Sequence, residues 1–263
     1  MTDGPLLVAV PNISEGQRPD LVRAIAGTSP ALLDLHSDAD HNRSVLTYAG
    51  TVEQLVSECG GMIDRAVASL DIRHQTGAHP RFGVVDVLPI VPHRAGSDDA
   101  FAAAAGLAAH AQARGLPVHR YGFSGPPLPE LRRMLRTQTH DTHPSAGVIC
   151  IGVRDALIAF NVNLRTDMAT ARALARDVRT LPGVRALTFE LPSRELVQVS
   201  MNLTDPATAG PRAAYEHIAV RAADAIVDAE IVGLVPYELD LTAIPLRAHP
   251  RTIEAVLNAS RRS

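Results

Sequence analysis

Short apolar runs in the first half of the chain alternate with longer stretches of helical period. The strands that these runs predict cover residues 6–10, 31–35, 44–48, 84–91 and 118–121. The predicted helices cover 15–25, 51–70 and 97–115, and Thr51 with Gln54 forms the capping-box signature that opens the second helix. The predicted order is therefore β-α-β-β-α-β, the split βαβ arrangement, with one helix and one strand appended.

The second half of the chain repeats that order. Strands are predicted over 156–164, 184–191, 195–203 and 230–235, and amphipathic helices over 168–178 and 215–226. This duplication predicts an α+β protein of two ferredoxin-like subdomains, residues 1–145 and 146–263. Bare sheet faces need cover, so we expect helices outside and sheets facing a shared cleft, where ligands usually bind. Residues 122–145, rich in Pro and Gly, are interpreted as a linker or loop with room for one short helix.

The amino-acid composition excludes several classes of protein and of enzyme mechanism. The 263 residues are 46% hydrophobic and 20% charged with a net charge of −3, which is ordinary for a globular protein and unlike a nucleic-acid binder. No apolar run approaches the ~20 residues of a membrane-spanning helix, and residues 1–5 lack a secretory signal, so we expect a cytoplasmic location without membrane contact. The chain contains no lysine. This excludes Walker A phosphate loops and Schiff-base enzymes, and leaves arginine for carboxylate recognition.

The densest set of chemistry-bearing residues lies in 73–83, directly before a predicted strand. Pro80 disfavours helix at His79, so His79 and Arg81 are predicted to lie on a shaped loop. Asp86 falls inside the following apolar strand, and a buried carboxylate there needs an imidazole or a guanidinium as its partner. On composition alone, a solvated surface loop is an equal alternative.

A second polar stretch, residues 36–43, connects two predicted strands and contains two histidines and two aspartates. Such side chains could ligate zinc or manganese. Their spacing matches no ligand motif, however, and stretches rich in Asp and Asn are also ordinary turn formers. Metal site, polar turn and substrate contact all stay open, and we favour substrate contact without a metal ion.

Other nucleophiles are set aside. Residues 122–125 fall short of the G-x-S-x-G elbow of serine hydrolases. Cys59 and Cys150 lie within apolar patterns, so both are interpreted as core residues.

Six segments, in order, resemble the glutamate formiminotransferase family. Residues 10–16 resemble its V-P-N-F-S-E-G, residues 38–44 its D-x-D-H-N-R-[ST], and residues 77–83 with Asp86 and Pro89 its G-E-H-P-R-M-G…D…P. Arg154 with 157–164 resembles R-x-F-L-I-A-F-N-I-N-L, and residues 198–203 and 232–236 match two further segments. The similarity runs from about Val8 to Pro236.

The resemblance implies two α/β subdomains with folate in a tunnel between them. It also implies transfer of a formimino group from N-formimino-L-glutamate to N5 of tetrahydrofolate, a co-substrate, in histidine degradation and one-carbon metabolism. The histidine that matches His79 is then the essential catalytic residue, and no metal is needed. Small molecules are the expected partners, and a homodimer is left open.

The expected substrate-binding residues belong to the same polar stretches. They are His36, Asp38, Asn42, Arg43, Arg81, Asp86, Arg154 and Asn161. A single histidine can take the proton of the attacking amine and return one to the leaving nitrogen, with Asp86 fixing the imidazole tautomer. A carboxylate of the 38–40 stretch would support the cationic amidine carbon, and arginines would bind the substrate carboxylates.

Three features depart from the family pattern. Ala78 stands where the family has Glu, and His36 where animal enzymes have an acidic residue. The family's long segment ending near D-F-G-P is shortened to Pro126–Thr142. That segment lies near the subdomain junction, and its shortening supports one alternative, a paralogue with a different donor or acceptor. A non-enzymatic folate-binding protein is the second alternative, which the retained His79 disfavours.

Overall fold

A computed structural model of the chain describes residues 4–260. The chain divides into two compact units. Among the described residues, the first comprises 4–155 and 257–260, and the second is Ala156–Val256. Each unit combines one sheet with helices, so the predicted α+β class is confirmed. Within residues 4–260, no helix is both long and apolar enough to cross a membrane.

The first unit is built on one mixed sheet. Its strands are β1 (Leu7–Ala9), β2 (Asn12–Ile13), β3 (Leu32–Asp38), β4 (Arg43–Gly50), β5 (Val85–Pro92), β6 (Val118–Gly122) and β7 (Ile149–Val153). Its helices are α1 (Pro19–Ala26), α2 (Val52–Ser69), α3 (Ser97–Gln112) and α4 (Leu128–Thr137). β1 and β2 act as one interrupted strand, because both pair with β4 on one side and β5 on the other.

Strand order in this sheet follows the split βαβ arrangement. The order is β3-β4-β1/β2-β5, all antiparallel, and β7 and β6 then extend the sheet in parallel with β5. Residues 149–153 therefore lie in the first sheet, whereas the sequence assigned them to the second subdomain. A lone apolar strand has no local feature that identifies its neighbours, so its sheet is decided by packing.

Helix α2 illustrates how local sequence produces these elements. The Thr51 side chain accepts from the Gln54 amide, and the Gln54 side chain accepts from the Thr51 amide, which is the predicted capping box. The apolar stripe of α2, including Leu55 and Ile63, is fully buried in the main core against the sheet. Cys59 lies on that stripe and is buried, as expected of a core residue.

Strand β5 changes face at Asp86. Val85 packs in the main core, whereas Val87 packs in a second cluster with Leu131 and Leu135 of α4. Regular alternation would put residues 85 and 87 on one face. The register of β5 against β2 shifts at this point, which is the mark of a β-bulge. Because of the bulge, the Asp86 carboxylate turns toward the face that α4 covers.

Helix α4 lies inside the stretch that was interpreted as a linker or loop. Its apolar residues Leu131 and Leu135 pack on the sheet face formed by Val87, Tyr121 and Cys150. Burial there raises the pKa of the Cys150 thiol to about 12, so this cysteine is an inert core residue.

The second unit is a four-stranded antiparallel sheet in the order β11-β8-β10-β9. Its strands are β8 (Ile158–Leu164), β9 (Val184–Leu191), β10 (Leu196–Leu203) and β11 (Ile226–Val232). Its helices are α5 (Met168–Val178) and α6 (Pro211–Ala222), and α7 (Ile253–Ser260) follows later in the chain. Ile226 begins β11 rather than ending a helix as predicted. The ferredoxin-like strand order thus recurs, while the shared cleft stays a prediction.

Candidate functional site

His79 lies in the loop before β5, as predicted from the sequence. Its Nδ1 is 2.8 Å from the Pro80 carbonyl oxygen and 3.2 Å from Arg43 Nη1. A carbonyl oxygen only accepts hydrogen bonds, so the shorter contact indicates that Nδ1 carries the proton. The lone pair of the imidazole is then on Nε2, which is the tautomer that a general base at Nε2 requires.

The surroundings of His79 favour the uncharged ring. Burial first, and then the guanidinium groups of Arg43 and Arg132, hold the pKa of His79 well below its usual range. His41, whose ring centroid is 6.2 Å away, acts in the same direction, and the Pro80 carbonyl opposes it. The imidazole is therefore neutral near pH 7 and able to accept a proton.

Asp86 is fully buried, and two arginines share its carboxylate. Arg43 Nη1 donates to Oδ2 over 2.8 Å, Arg132 Nη2 donates to the same oxygen, and the Phe82 amide donates to Oδ1 over 2.9 Å. Burial by itself would raise the pKa of this carboxyl, but Arg43 and Arg132 hold it below its ordinary value. Asp86 is therefore an ionised anchor for two guanidinium groups.

The role of Asp86 toward the imidazole stays a prediction, and the described contacts place an arginine between the two groups. Arg43 bridges Asp86 and His79, and the Pro80 carbonyl sets the tautomer that was attributed to Asp86. The Asp86 side chain is 0% exposed, so it offers no surface to a substrate. A guanidinium was one of the two partner types predicted for Asp86, but the arginines that supply it were not predicted.

Arg81, predicted as a ligand for substrate carboxylates, contacts main-chain carbonyl oxygens. Its Nη2 donates to His41 over 2.7 Å, and its Nη1 donates to Asn42 over 3.0 Å. Nη2 and Nε also approach the His79 carbonyl at 3.2 and 3.3 Å. Arg81 thus ties the turn after β3 to the loop of His79, which is a structural role.

The turn between β3 and β4 is held by its own polar side chains. Asp38 Oδ1 accepts from the His41 amide over 2.7 Å. Asn42 has a left-handed backbone with φ of 45°, which asparagine tolerates better than most residues. Its Oδ1 accepts from the Gly16 amide, and its Nδ2 donates to the Thr76 carbonyl, both over 2.8 Å. Asn42, predicted as a substrate contact, therefore connects three loops.

His36 lies on β3 opposite Val45, with its side chain partly exposed. It and Asp38 keep surface that a substrate could reach. Among residues 4–260, no group of three or more His, Cys, Asp or Glu side chains is placed to hold a metal ion. The absence of a metal from the mechanism stays a prediction.

Residues 10–16 hold parts of the site in place through side-chain hydrogen bonds. Asn12 Oδ1 accepts from Arg43 Nε over 2.9 Å, which holds a guanidinium nitrogen other than the one near His79. Ser14 Oγ donates to the Gly83 carbonyl over 2.8 Å and anchors the end of the His79 loop. A Cβ at Gly16 would lie 2.2 Å from the Asp38 carbonyl oxygen, so only glycine fits there.

Arg154 lies at the other end of the sheet from Asp86. Its amide donates to the Ile90 carbonyl, four residues farther along β5, and its Nη1 donates to the Asp155 carbonyl. Four strand residues span roughly 13 Å. This separation applies to the Arg154 main chain, whereas its guanidinium interacts with Tyr121, a side chain that Arg132 also influences.

Asn161 lies in the second unit, on the sheet face opposite the helices. Its Nδ2 donates to Glu230 Oε1 over 3.0 Å, and Gln198 Nε2 donates to the same oxygen over 3.2 Å. Arg247 Nη1 is 3.2 Å from the other oxygen of Glu230. Asn161 Oδ1 is buried without a hydrogen-bond partner within the described part of the chain. The sequence predicted Asn161 alone, without its partner Glu230.

Arg132 is a site residue that the sequence did not predict. It follows Asp86 by 46 positions and lies on α4. The one local signal is the spacing of Leu128, Leu131 and Leu135, which marks an amphipathic helix around it. That spacing predicts the helix but not the carboxylate that Arg132 meets.

Known families and proteins match the chain over most of its length. The model for the N-terminal subdomain of the formiminotransferase domain matches residues 6–154, and that for the formiminotransferase domain matches 159–246. A glutamate formimidoyltransferase of Thermoplasma acidophilum is 33% identical, covering 88% of both chains. One of Streptococcus pyogenes serotype M1 is 29% identical, covering 88% of this chain and 89% of the relative. The formimidoyltransferase-cyclodeaminase of Sus scrofa is 31% identical over 90% of this chain but only 51% of its own length.

Proposed function

The chain belongs to the formiminotransferase family, and on that premise we propose that it transfers the formimino group of N-formimino-L-glutamate to N5 of tetrahydrofolate. The observation that carries the proposal is the neutral His79, whose Nδ1 contacts the Pro80 carbonyl and whose neighbour Arg43 is anchored on ionised Asp86. A protein that only binds folate needs no such poised base.

The reaction replaces one carbon–nitrogen bond by another. N5 of tetrahydrofolate attacks the formimino carbon, forms the new bond and gives its proton to Nε2 of His79. The tetrahedral adduct then collapses, the bond to the glutamate nitrogen breaks, and that nitrogen takes the proton from His79 and leaves as an amine. The imidazole is neutral at the start and at the end, so one side chain serves as base and then as acid.

The charges around His79 favour the second proton transfer. Protonation of the ring creates a cation beside the guanidinium groups of Arg43 and Arg132, which share only one carboxylate. The imidazolium is therefore a good proton donor to the leaving nitrogen. Proton transfer by a positioned side chain contributes typically about 10²–10⁴-fold to the rate.

The contacts of the other predicted site residues separate candidates for substrate binding from residues that support the site. We propose His36, Asp38 and Arg43 as candidates for direct substrate contact, since each keeps some exposed or part-buried surface. Asn42, Arg81 and Asp86 support the loops and the arginines through the contacts described above, and Arg154 and Asn161 stay proposed substrate ligands. A cytoplasmic location and a homodimer also remain proposals.

The direct test incubates purified protein with tetrahydrofolate and formiminoglutamate and follows 5-formiminotetrahydrofolate by absorbance and mass spectrometry. We expect His79→Asn to lower turnover by about 10²-fold or more, because it removes the titratable proton and keeps the size of the side chain. The matched control is His74→Asn, since the His74 side chain is 79% exposed and lies five positions earlier. Near-wild-type turnover of His79→Asn, or equal losses in both variants, contradicts the proposal.

A formiminotransferase with another donor or acceptor is the second candidate. The observation that favours it is the short segment Pro126–Thr142, which folds into α4 and contributes Arg132 to the cluster around Asp86. A panel of formimino-amino acids with tetrahydrofolate, and of alternative amine acceptors with formiminoglutamate, separates the two. A donor or acceptor that supports turnover at least tenfold faster than the proposed pair favours this second candidate.

A further inference from the structure

Helix α4 directs one arginine into the interior of the first unit. Leu131 and Leu135 pack against the sheet, and Arg132, next to Leu131, has a side chain only 12% exposed. Its Nε is buried without a hydrogen-bond partner in the part of the chain that the structure describes. A buried guanidinium is costly, so its position needs specific partners.

Arg132 has two such partners, and each of them also fixes the surroundings of His79. Its Nη2 donates to Asp86 Oδ2, the oxygen that also accepts from Arg43 Nη1 over 2.8 Å. Its Nη1 is 3.4 Å from the Pro80 carbonyl oxygen, which also lies 2.8 Å from His79 Nδ1. Arg132 therefore touches both the carboxylate that holds Arg43 and the carbonyl that orients the imidazole.

We propose that Arg132 is a positioning residue for the transfer reaction, which fixes Asp86 and Arg43 and thereby sets the orientation and the charge state of His79. The inference rests on the proposed role of His79 and deepens it. It also gives a role to segment 126–142, because this segment contains α4, the helix on which Arg132 lies.

The charges around His79 predict the direction in which its pKa changes when Arg132 is replaced. The charged or titratable groups near the ring include Arg43 of β4, Arg132 of α4, His41 of the preceding turn and, behind the arginines, Asp86 of β5. Arg81 of the same loop contacts the His79 carbonyl oxygen rather than the ring. Without the charge of Arg132, the carboxylate of Asp86 is balanced by the guanidinium of Arg43 alone. The imidazolium then forms more easily, so the pKa of His79 rises. Because the base must be uncharged, activity then falls off at a higher pH than in the wild-type protein.

The experiment compares Arg132→Gln, Arg132→Lys and the control Arg133→Gln, which removes an exposed arginine from the same helix. For Arg132→Gln we expect the acid limb of the pH profile of kcat/KM to move to higher pH and kcat to fall by about 10-fold to 100-fold. Arg132→Lys keeps the charge but lacks the forked donors. It should therefore keep the acid limb of the wild-type protein while kcat still falls. Arg133→Gln should match the wild type in both measurements.

A second measurement needs no substrate. NMR titration of the His79 Cε1 proton, assigned by its loss in His79→Asn, follows the ring directly in each folded variant. The same titration midpoint in Arg132→Gln as in the wild type overturns the inference, whatever the activity. The same acid limb and the same loss of kcat in the Gln and Lys variants also overturn it, because a purely structural role predicts that result. If the wild-type protein shows no transfer, the proposed substrate pair is refuted. A shift of the His79 titration midpoint in Arg132→Gln would still support the control of His79 by Arg132.

Discussion

Replacement of Asp86 by asparagine tests the buried charge cluster most directly. The substitution keeps the size of the side chain but removes the only charge that compensates Arg43 and Arg132 in the contacts described above. Their side chains are only 11% and 12% exposed, so water cannot take the place of the carboxylate. Asp86→Asn therefore leaves two guanidinium groups buried beside each other.

The geometry sets the size of the effect. One pair of unit charges 2.8 Å apart, the distance from Arg43 to Asp86, attracts by about 6 kcal/mol at an effective dielectric constant of about 20. Removal of one partner from a buried pair typically costs about 3–5 kcal/mol, because part of this attraction had offset desolvation. We therefore expect the free energy of unfolding to fall by about 3–5 kcal/mol. For a protein of this size that corresponds to a decrease in Tm of roughly 6–20 °C.

Urea unfolding followed by circular dichroism measures this loss, and Arg132→Gln supplies the double-mutant cycle. The double variant keeps one buried cation instead of two, so its loss should be smaller than the sum of the two single losses. A loss below about 1 kcal/mol for Asp86→Asn, or strictly additive losses in the cycle, refutes the view that Asp86 compensates both arginines.

Three further predictions follow from single contacts. The folded-state pKa of Asp86 lies below the usual value of about 4. The stabilisation by its carboxylate is therefore present above that pH and is lost as the pH falls through the lowered pKa. Acid unfolding followed by circular dichroism should show this loss of stability in the wild-type protein but not in Asp86→Asn. Gly16→Ala should lower Tm strongly, because its Cβ would lie 2.2 Å from the Asp38 carbonyl oxygen, whereas Gly96→Ala, with nothing within 4 Å, should not. Thr51→Ala should cost about 1 kcal/mol in urea unfolding through loss of the cap of α2, and an unchanged midpoint contradicts this.

The sequence alone predicted the features that depend on neighbours a few positions apart. The capping box of α2, the order of helices and strands in the second unit and the loop around His79 all follow from caps, hydrophobic period and proline placement. These signals act within one or two turns of chain, so they can be read without the fold. The family segments led to the prediction that His79 is catalytic, although they did not indicate what surrounds it.

The tertiary structure decided which charged groups meet. An arginine can pair with any carboxylate or carbonyl oxygen within its reach. The sequence, with its 25 arginines, therefore does not indicate that Arg132 contacts Asp86 while Arg81 contacts carbonyl oxygens. That choice depends on the bulge in β5, which turns Asp86 toward α4, and on the packing of Leu131 and Leu135 against the sheet. Both are long-range packing results, and packing is specified by the whole core rather than by any short stretch of sequence.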